Sequence, residues 1–195
     1  MIQSLEGINL GVAICGSFGT FKNTIEMVKQ FIELGVNVYP IMSYTAYENT
    51  TRFGLREEFI EQIENVTKNQ IVHTTEGVET WDCMVTLDAI LIAPCTGNTL
   101  AKLANDITDT PVTLVTKAML KNSKPVVIAV ATNDRLGSNL KNIGTMIKNQ
   151  NVYFVPFNQS DPQSKPYALV ANFLLAPDSV LAAVNQKQIQ PIIST

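Results

Sequence analysis

The chain has 195 residues, 46% of them hydrophobic and only 16% charged, with a formal net charge of −3. That length suits one well-buried domain, and the slightly acidic balance excludes the basic footprint of a nucleic-acid binder. No apolar run approaches the roughly 20 residues of a membrane-spanning helix, Met1 to Asn9 lacks a signal-peptide pattern, and Cys15, Cys83 and Cys95 form no CxxC spacing. The expectation is a soluble, cytoplasmic, self-associating protein with reduced thiols and no metal site.

Strand-like and helix-like segments alternate from the start. Ile8 to Ile14 is a short apolar strand, and Phe21, Ile25, Val28, Phe31 and Ile32 recur at helical spacing over Phe21 to Leu34. Gly35 suits the residue that ends such a helix. Val36 to Met42 predicts a second strand. Phe53 to Asn65 predicts an amphipathic helix, with Phe59, Ile60 and Ile63 opposite Glu57, Glu58, Glu61 and Glu64. The pattern weakens over Gln70 to Thr80, and Glu79 to Thr86 reads as a short helix.

A third strand follows at Ala89 to Ala93, then a helix over Thr99 to Ile107 and another opened by Thr110-Pro111, an N-cap with proline at the first helical position. Pro125 to Val130 predicts the fourth strand, Leu140 to Asn149 a helix, and Val152 to Val155 the fifth strand. A polar stretch, Asn158 to Pro166, precedes an apolar helix from Tyr167 onward. There is no internal repeat and no low-complexity linker. Short apolar strands separated by helices imply right-handed βαβ crossovers. The fold class is therefore α/β: a doubly wound parallel sheet, Rossmann-like or flavodoxin-like, with helices on both faces of a single domain. Residues 1–155 would form the sheet core and 156–195 a C-terminal loop and helix.

Ligands of such sheets bind beyond the carboxyl ends of the strands. The first of these loops, Cys15-Gly16-Ser17-Phe18-Gly19-Thr20, has amides and a hydroxyl suited to a phosphate, although it also reads as a plain glycine turn. Ser43-Tyr44-Thr45-Ala46 follows the second strand and reads equally as a helix cap. The third loop, Cys95-Thr96-Gly97-Asn98-Thr99, is five small residues between a buried strand and a helix; the fourth is Ala131-Thr132-Asn133-Asp134. Four such loops on one sheet edge, rich in glycine, hydroxyl and amide and almost free of charge, point to a phosphate-bearing cofactor with a polar ring system.

These loops carry a family resemblance. APCTGNTLAKLANDITDTPVT resembles the APxTANTxAKxAxGIxDxLxT signature of the homo-oligomeric flavin-containing cysteine decarboxylases. Cys15-Gly16-Ser17 followed by Lys22 is similar to that family's TGSxAxxK loop, and PVVIAVATNDRLGSN to its PxxxAPAMNxxMxxN stretch. The tail PFNQSDPQSKPYALVANF resembles a segment of the dipicolinate synthase B-subunit family, which the decarboxylases lack in this form.

The resemblance implies FMN, with Gly16, Ser17 and Phe18 at its phosphate and Ser43 adding a hydroxyl. Cys95, Thr96, Gly97, Asn98 and Thr99 would lie along the flavin ring, and Asn133 would face substrate. It further implies oxidation of dihydrodipicolinate to dipicolinate in the mother-cell cytoplasm of a sporulating bacterium. The synthase's Rossmann-type A subunit would be the partner and could hold NADP, and the homo-oligomer would be a trimer or dodecamer. Arg135 and Lys165 are the cations that would meet the substrate carboxylates, or else are simply solvated.

The departures narrow the chemistry. The decarboxylases place a histidine shortly before the aspartate matching Asp88, where this chain reads Val78-Glu79-Thr80. His73, the single histidine, reads as an exposed loop residue rather than a general base. Val130 replaces the PAMN proline and Gly97 the alanine of TANT. A cysteine-derivative decarboxylase and a non-catalytic FMN-binding partner subunit remain the alternatives. Cys83 and Cys95 read as buried thiols more than as redox partners, and Phe18, Tyr44 and Tyr167 as packing residues.

Overall fold

The computed structural model describes residues 2–82, 86–133, 135–159 and 161–194. Five strands run parallel: β1 (Asn9–Ile14), β2 (Asn37–Met42), β3 (Ala89–Cys95), β4 (Val126–Thr132) and β5 (Val152–Phe154), in the spatial order β2-β1-β3-β4-β5. All seven residues of β3 and of β4 are buried, as expected of strands covered on both faces. Two short strands, β6 (Phe157–Asn158) and β7 (Leu169–Ala171), extend the sheet antiparallel. β5 pairs with Val126 to Ile128 at the start of β4, while β7 pairs with Ala131 and Thr132 at its end. The antiparallel pair thus brings the C-terminal segment to the carboxyl edge of the sheet.

The helices are α1 (Phe21–Glu33), α2 (Tyr44–Glu48), α3 (Arg56–Thr67), α4 (Thr75–Asp82), α5 (Gly97–Ala104), α6 (Pro111–Lys121), α7 (Leu136–Met146) and α8 (Ala176–Val184). They pack as two groups, α1 with α3 and α8, and α4 with α6, α5 and α7. α1 ends as Gly35 predicts. With φ at +76°, Gly35 donates its N–H to Ile32 O at 3.0 Å, and Val36 N donates to Phe31 O at 3.0 Å, the paired bonds of a left-handed helix stop. At the start of α6, Thr110 and Thr113 cap each other's backbone N–H, with Pro111 in the first turn. Among the described residues no helix is long and apolar enough to cross a membrane, and no group of His, Cys, Asp or Glu forms a metal cluster.

Several elements differ from expectation. The apolar stretch after Tyr167 begins as strand β7, because the ends of β4 offer it backbone partners. The helix starts only after Asn172, whose side chain accepts from Leu174 N at 3.1 Å. The sheet is therefore parallel in its core with an antiparallel edge. α7 begins at Leu136, four residues before Leu140, and α3 at Arg56 rather than Phe53. α2 is an additional one-turn helix, and α4 runs from Thr75 to Asp82, so it begins before the predicted helix Glu79 to Thr86; Cys83, within that prediction, lies outside the described residues, and Thr86 is not helical. In the weakly patterned segment, Val72 pairs with the edge of β2: Val72 N donates to Pro40 O at 3.0 Å, and Met42 N donates to Val72 O at 2.9 Å. Tyr167 is not a packing residue, being 61% exposed.

Candidate functional site

The strand order reverses between β1 and β3, since β1 leads left to β2 and β3 leads right to β4. Such a switch point leaves a crevice at the carboxyl ends. Here the first three loops converge. Cys15 N donates to Pro94 O at 3.1 Å, Ser43 N to Ile14 O at 3.0 Å, and the Thr99 hydroxyl to Cys15 Sγ at 3.3 Å. Register with β4 shifts between Ile92 and Cys95, where Pro94 offers no N–H, and pairing resumes at Cys95 opposite Val130.

Two glycines are pressed against neighbouring loops. A Cβ on Gly16 would lie 2.8 Å from Thr45 Cγ2, and one on Gly97 would lie 2.8 Å from Asn139 Oδ1. At Gly16 a larger side chain would press the first loop off the second, and at Gly97 it would displace the Asn139 side chain. The first loop is a tight turn, with Ser17 N donating to Cys15 O at 2.7 Å and Thr20 donating from both its N and its hydroxyl to Ser17 O at 3.0 and 2.7 Å. It leads into α1, whose N-cap Thr20 makes no side-chain cap bond and whose first turn holds no acidic residue. A 3-10 turn, Phe18–Thr20, runs into α1, and Phe21 N donates to Phe18 O; the N–H groups that open this turn, at Phe18 and Gly19, and the Ser17 hydroxyl, which has no protein partner among the described residues, form a donor set suited to a phosphate. Ser43 and Thr96 are each N-caps, accepting from Ala46 N and Thr99 N at 3.3 Å; Ser43 keeps its hydroxyl proton to donate, while Thr96 donates its own to Thr99 Oγ1 at 3.2 Å. An FMN phosphate fits this set of donors.

The predicted site residues separate into groups. Gly16, Ser17, Ser43, Thr96, Gly97 and Thr99 belong to the joined loops. Phe18 turns aside to pack on Phe21, with centroids 4.9 Å apart, and lines a cavity of about 350 Å³ between α1 and α3. Gly97, Asn98 and Arg135 line a different groove, of about 510 Å³, between α5 and α7. Asn133 is exposed on the bend after β4, and Asp134 lies outside the described residues. Lys165 is exposed on the loop before β7, held by its N–H to Asp161 O at 2.8 Å, and does not line the groove with Arg135. Lys102, Asn105, Ser138 and Asn142 complete that groove and escape notice in the sequence. Their signal is spacing: 98, 102 and 105 share one face of α5, and 135, 138 and 142 one face of α7.

His73 is half-buried rather than exposed, its ring stacked on Tyr47 with centroids 3.6 Å apart and 7° between planes. Cys15 and Cys95 are buried at the ends of β1 and β3. Burial pushes the Cys15 thiol up to about 11, against smaller opposing effects of its bonds with Thr99 and Thr96, and burial also raises Cys95 well above its ordinary value. Both are therefore protonated near neutrality and serve as neither base nor thiolate. A folded-state pKa above the unfolded one means that this stability is complete below about pH 9 and is lost as pH rises through 11. Between pH 8 and 11, wild type should lose about 2 kcal/mol more than Cys15→Ala in urea unfolding. Parallel pH profiles of the two would contradict this.

The family model described as Flavoprotein matches residues 2–188. Over 192 residues the chain is 34% identical to the B subunit of dipicolinate synthase from Bacillus subtilis (strain 168), covering 98% of this chain and 96% of the relative. The crystal structure of the dipicolinate synthase B subunit from Bacillus halodurans C superposes with a TM-score of 0.89 at 37% identity, over 99% of each chain. The FMN-dependent cysteine decarboxylase SpaF shares the fold, with a TM-score of 0.69 at 20% identity over 94% of this chain and 98% of that one.

Proposed function

We propose, for a chain that belongs to the flavoprotein family and within it to the family of dipicolinate synthase B subunits, that it holds FMN and works with the synthase's A subunit to oxidise dihydrodipicolinate to dipicolinate during sporulation. The observation that carries the cofactor half is the junction of three nearly uncharged loops at the strand-order reversal, with Gly16 and Gly97 each lacking room for a Cβ. Gly16, Ser17 and the N–H groups of Phe18 and Gly19 that open the turn into α1 would hold the phosphate, aided by Ser43; Thr96, Gly97, Asn98 and Thr99 would line the ring. Bound there, FMN supplies a two-electron acceptor.

The protein's own share is binding, orientation and exclusion of water. Forming the aromatic pyridine removes a hydride and a proton, and the proton needs an acceptor. The joined loops contain no carboxylate or histidine, His73 is stacked on Tyr47, and the two buried thiols are protonated. That composition favours a division of labour, with the A subunit supplying the base and NADP. It also favours, as the second reading, a B subunit that binds FMN without turnover of its own. The exposed Ile107, Leu140 and Ile147 on and beside α5 and α7 support association with further copies, and a cytoplasmic, mother-cell setting goes with the proposed reaction.

The test is a mixed assay of this chain, the A subunit, FMN, NADP and dihydrodipicolinate, each omitted in turn, with dipicolinate read by its ultraviolet absorbance. Product is expected only when both chains are present, and no carbon dioxide is expected from a peptidyl or pantothenoyl cysteine. Full activity of the A subunit without this chain would overturn the reading. Product from this chain and flavin alone would remove the division of labour.

A further inference from the structure

We propose that the cavity between α1 and α3 is an adenylate site, taking an adenine ring and its phosphate directly beside the turn that would hold the flavin phosphate. It rests on the reading above for the place of that phosphate. Both helices start at the carboxyl edge of the sheet, α1 after β1 and α3 after α2, and the cavity of about 350 Å³ is lined by their first two turns. That volume stands at the small end of the range of about 300–1,000 Å³ usual for small-molecule sites, which suits one nucleoside.

Four aromatic rings line it. Phe21 stacks on Phe59, with 4.0 Å between centroids and 20° between planes, and Phe18 leans on Phe21 at 4.9 Å. Phe53, on the turn between α2 and α3, supplies the fourth ring, yet it is 59% exposed. That turn is held firmly. Thr51 N donates to Gly54 O at 3.2 Å, Gly54 N to Thr51 O at 3.1 Å, and Phe53 N to the Thr51 hydroxyl at 3.2 Å. Arg52 covers one face of the Phe53 ring at 4.9 Å. A phenyl ring held at the rim of an aromatic cavity, outside the core, is placed to cover a flat ligand.

The polar lining selects the class of ligand. Of its four charged groups, two are already paired: Glu26 with Lys29 at 2.9 Å, and Arg56 with Glu57 at 2.6 Å. Lys22, Glu58 and the amide of Gln62 have no partner among the described residues. A free ammonium and a free carboxylate on one aromatic cavity call for a flat ring that carries both an anion and an N–H donor. An adenylate has both, a phosphate for Lys22 and an exocyclic amine for Glu58 or Gln62. A simple aromatic acid would leave Glu58 without a donor, and a quaternary ammonium would leave Lys22 without an anion.

Position links this cavity to the flavin. Lys22 follows Phe18 by four residues, and the N–H groups of Phe18 and Gly19 open the phosphate-binding turn. A Cβ on Gly19 would stand 3.7 Å from the Phe53 ring, so the aromatic turn lies against the phosphate turn. A phosphate on Lys22 would thus neighbour the flavin phosphate, as the two phosphates of flavin adenine dinucleotide do. The adenylate has two sources: that half of FAD, or a separate adenine nucleotide bound beside FMN.

Fluorescence titration of the full-length protein with FMN and with FAD, and calorimetric titration of AMP into the FMN-saturated protein, distinguish them, with folding checked by circular dichroism. F53A removes the exposed ring and K22Q the free cation; K117Q removes an exposed cation on α6, outside the cavity lining. FAD should bind within ~3-fold of FMN or tighter, and should weaken at least ~10-fold in F53A and ~5-fold in K22Q. FMN should change less than ~3-fold in both, and K117Q should alter neither flavin. Refusal of FAD, with AMP binding the FMN-loaded protein and following F53A and K22Q, assigns the site to a separate nucleotide. If neither FAD nor AMP responds to F53A and K22Q, the adenylate site is overturned. Failure of the flavin reading looks different: neither flavin binds, while AMP still binds and follows the two variants.

Discussion

Gly16→Val should lower FMN affinity at least ~100-fold, equivalent to about 2.7 kcal/mol. The reason is steric and local. The first atom added at position 16 falls 2.8 Å from Thr45 Cγ2 and 3.3 Å from Thr45 Cβ. Thr45 sits in the first turn of α2, just after Ser43 caps it, so it has little freedom to withdraw. Valine therefore pushes apart the two loops that are to share one phosphate, at a stability cost of about 1–3 kcal/mol for overpacking. Phosphate-binding amides work only within hydrogen-bond reach, so even a small displacement breaks several bonds together. Gly19→Ala is the control, because its Cβ would meet only the Phe53 ring at 3.7 Å, an ordinary contact. It should bind FMN within ~3-fold of wild type. Fluorescence titration compares the three proteins, and wild-type affinity in Gly16→Val would remove the phosphate cradle from its proposed place.

What could be read in the sequence depended on whether the cause was local. The runs over Ala89 to Ala93 and Pro125 to Val130 identify buried parallel strands because both faces are covered, leaving no alternation to obscure them. Gly35 marks the end of α1, and Thr110-Pro111 the start of α6, because caps act within a few residues. Leu169-Val170-Ala171 carries no comparable mark: a short apolar run suits a helix or a strand, and the decision comes from Ala131 and Thr132, nearly forty residues away. The start of α7 is hidden for another reason, since Arg135, in the left-handed conformation, is not a usual cap and makes no side-chain cap bond.

The same division runs through the candidate site. The small residues at Gly16 and from Thr96 to Thr99 can be read in advance, because a strand that feeds a helix through so little side chain leaves room for something else. Thr45 and Asn139, which crowd those glycines, cannot: each contact joins different loops or helices. The groove is less legible still. Its amides lie on two helices whose facing is set by packing against the sheet, and each helix alone looks like an ordinary polar surface.

Phe31→Ala should destabilise the protein by about 3–5 kcal/mol without changing the stabilisation that FMN confers. Phe31 is fully buried on the inward face of α1, with Val28 and Met27, and Phe31 O also accepts the bond from Val36 N that closes the helix. Truncation leaves a cavity the size of a phenyl ring between α1 and the sheet, in a core whose neighbours are themselves held by strand pairing and cannot collapse into it. The proposed phosphate donors lie in the turn that enters the other end of the same helix, about ten residues and some 15 Å of helix away. If α1 remains docked when the chain is folded, the turn at its N-terminus presents the same amides, and ligand linkage adds the same increment to mutant and wild type. At 100 times the dissociation constant that increment is about 2.7 kcal/mol, enough to offset most of the lower end of the loss. Urea unfolding of both proteins with and without FMN measures it directly. An increment that shrinks in Phe31→Ala would mean that the cavity loosens α1 along its whole length, so that core packing and the cofactor loop form one cooperative unit. An equal increment would place them on separate footings: Phe31 holds the helix against the sheet, and Gly16 sets where its first turn meets the second loop.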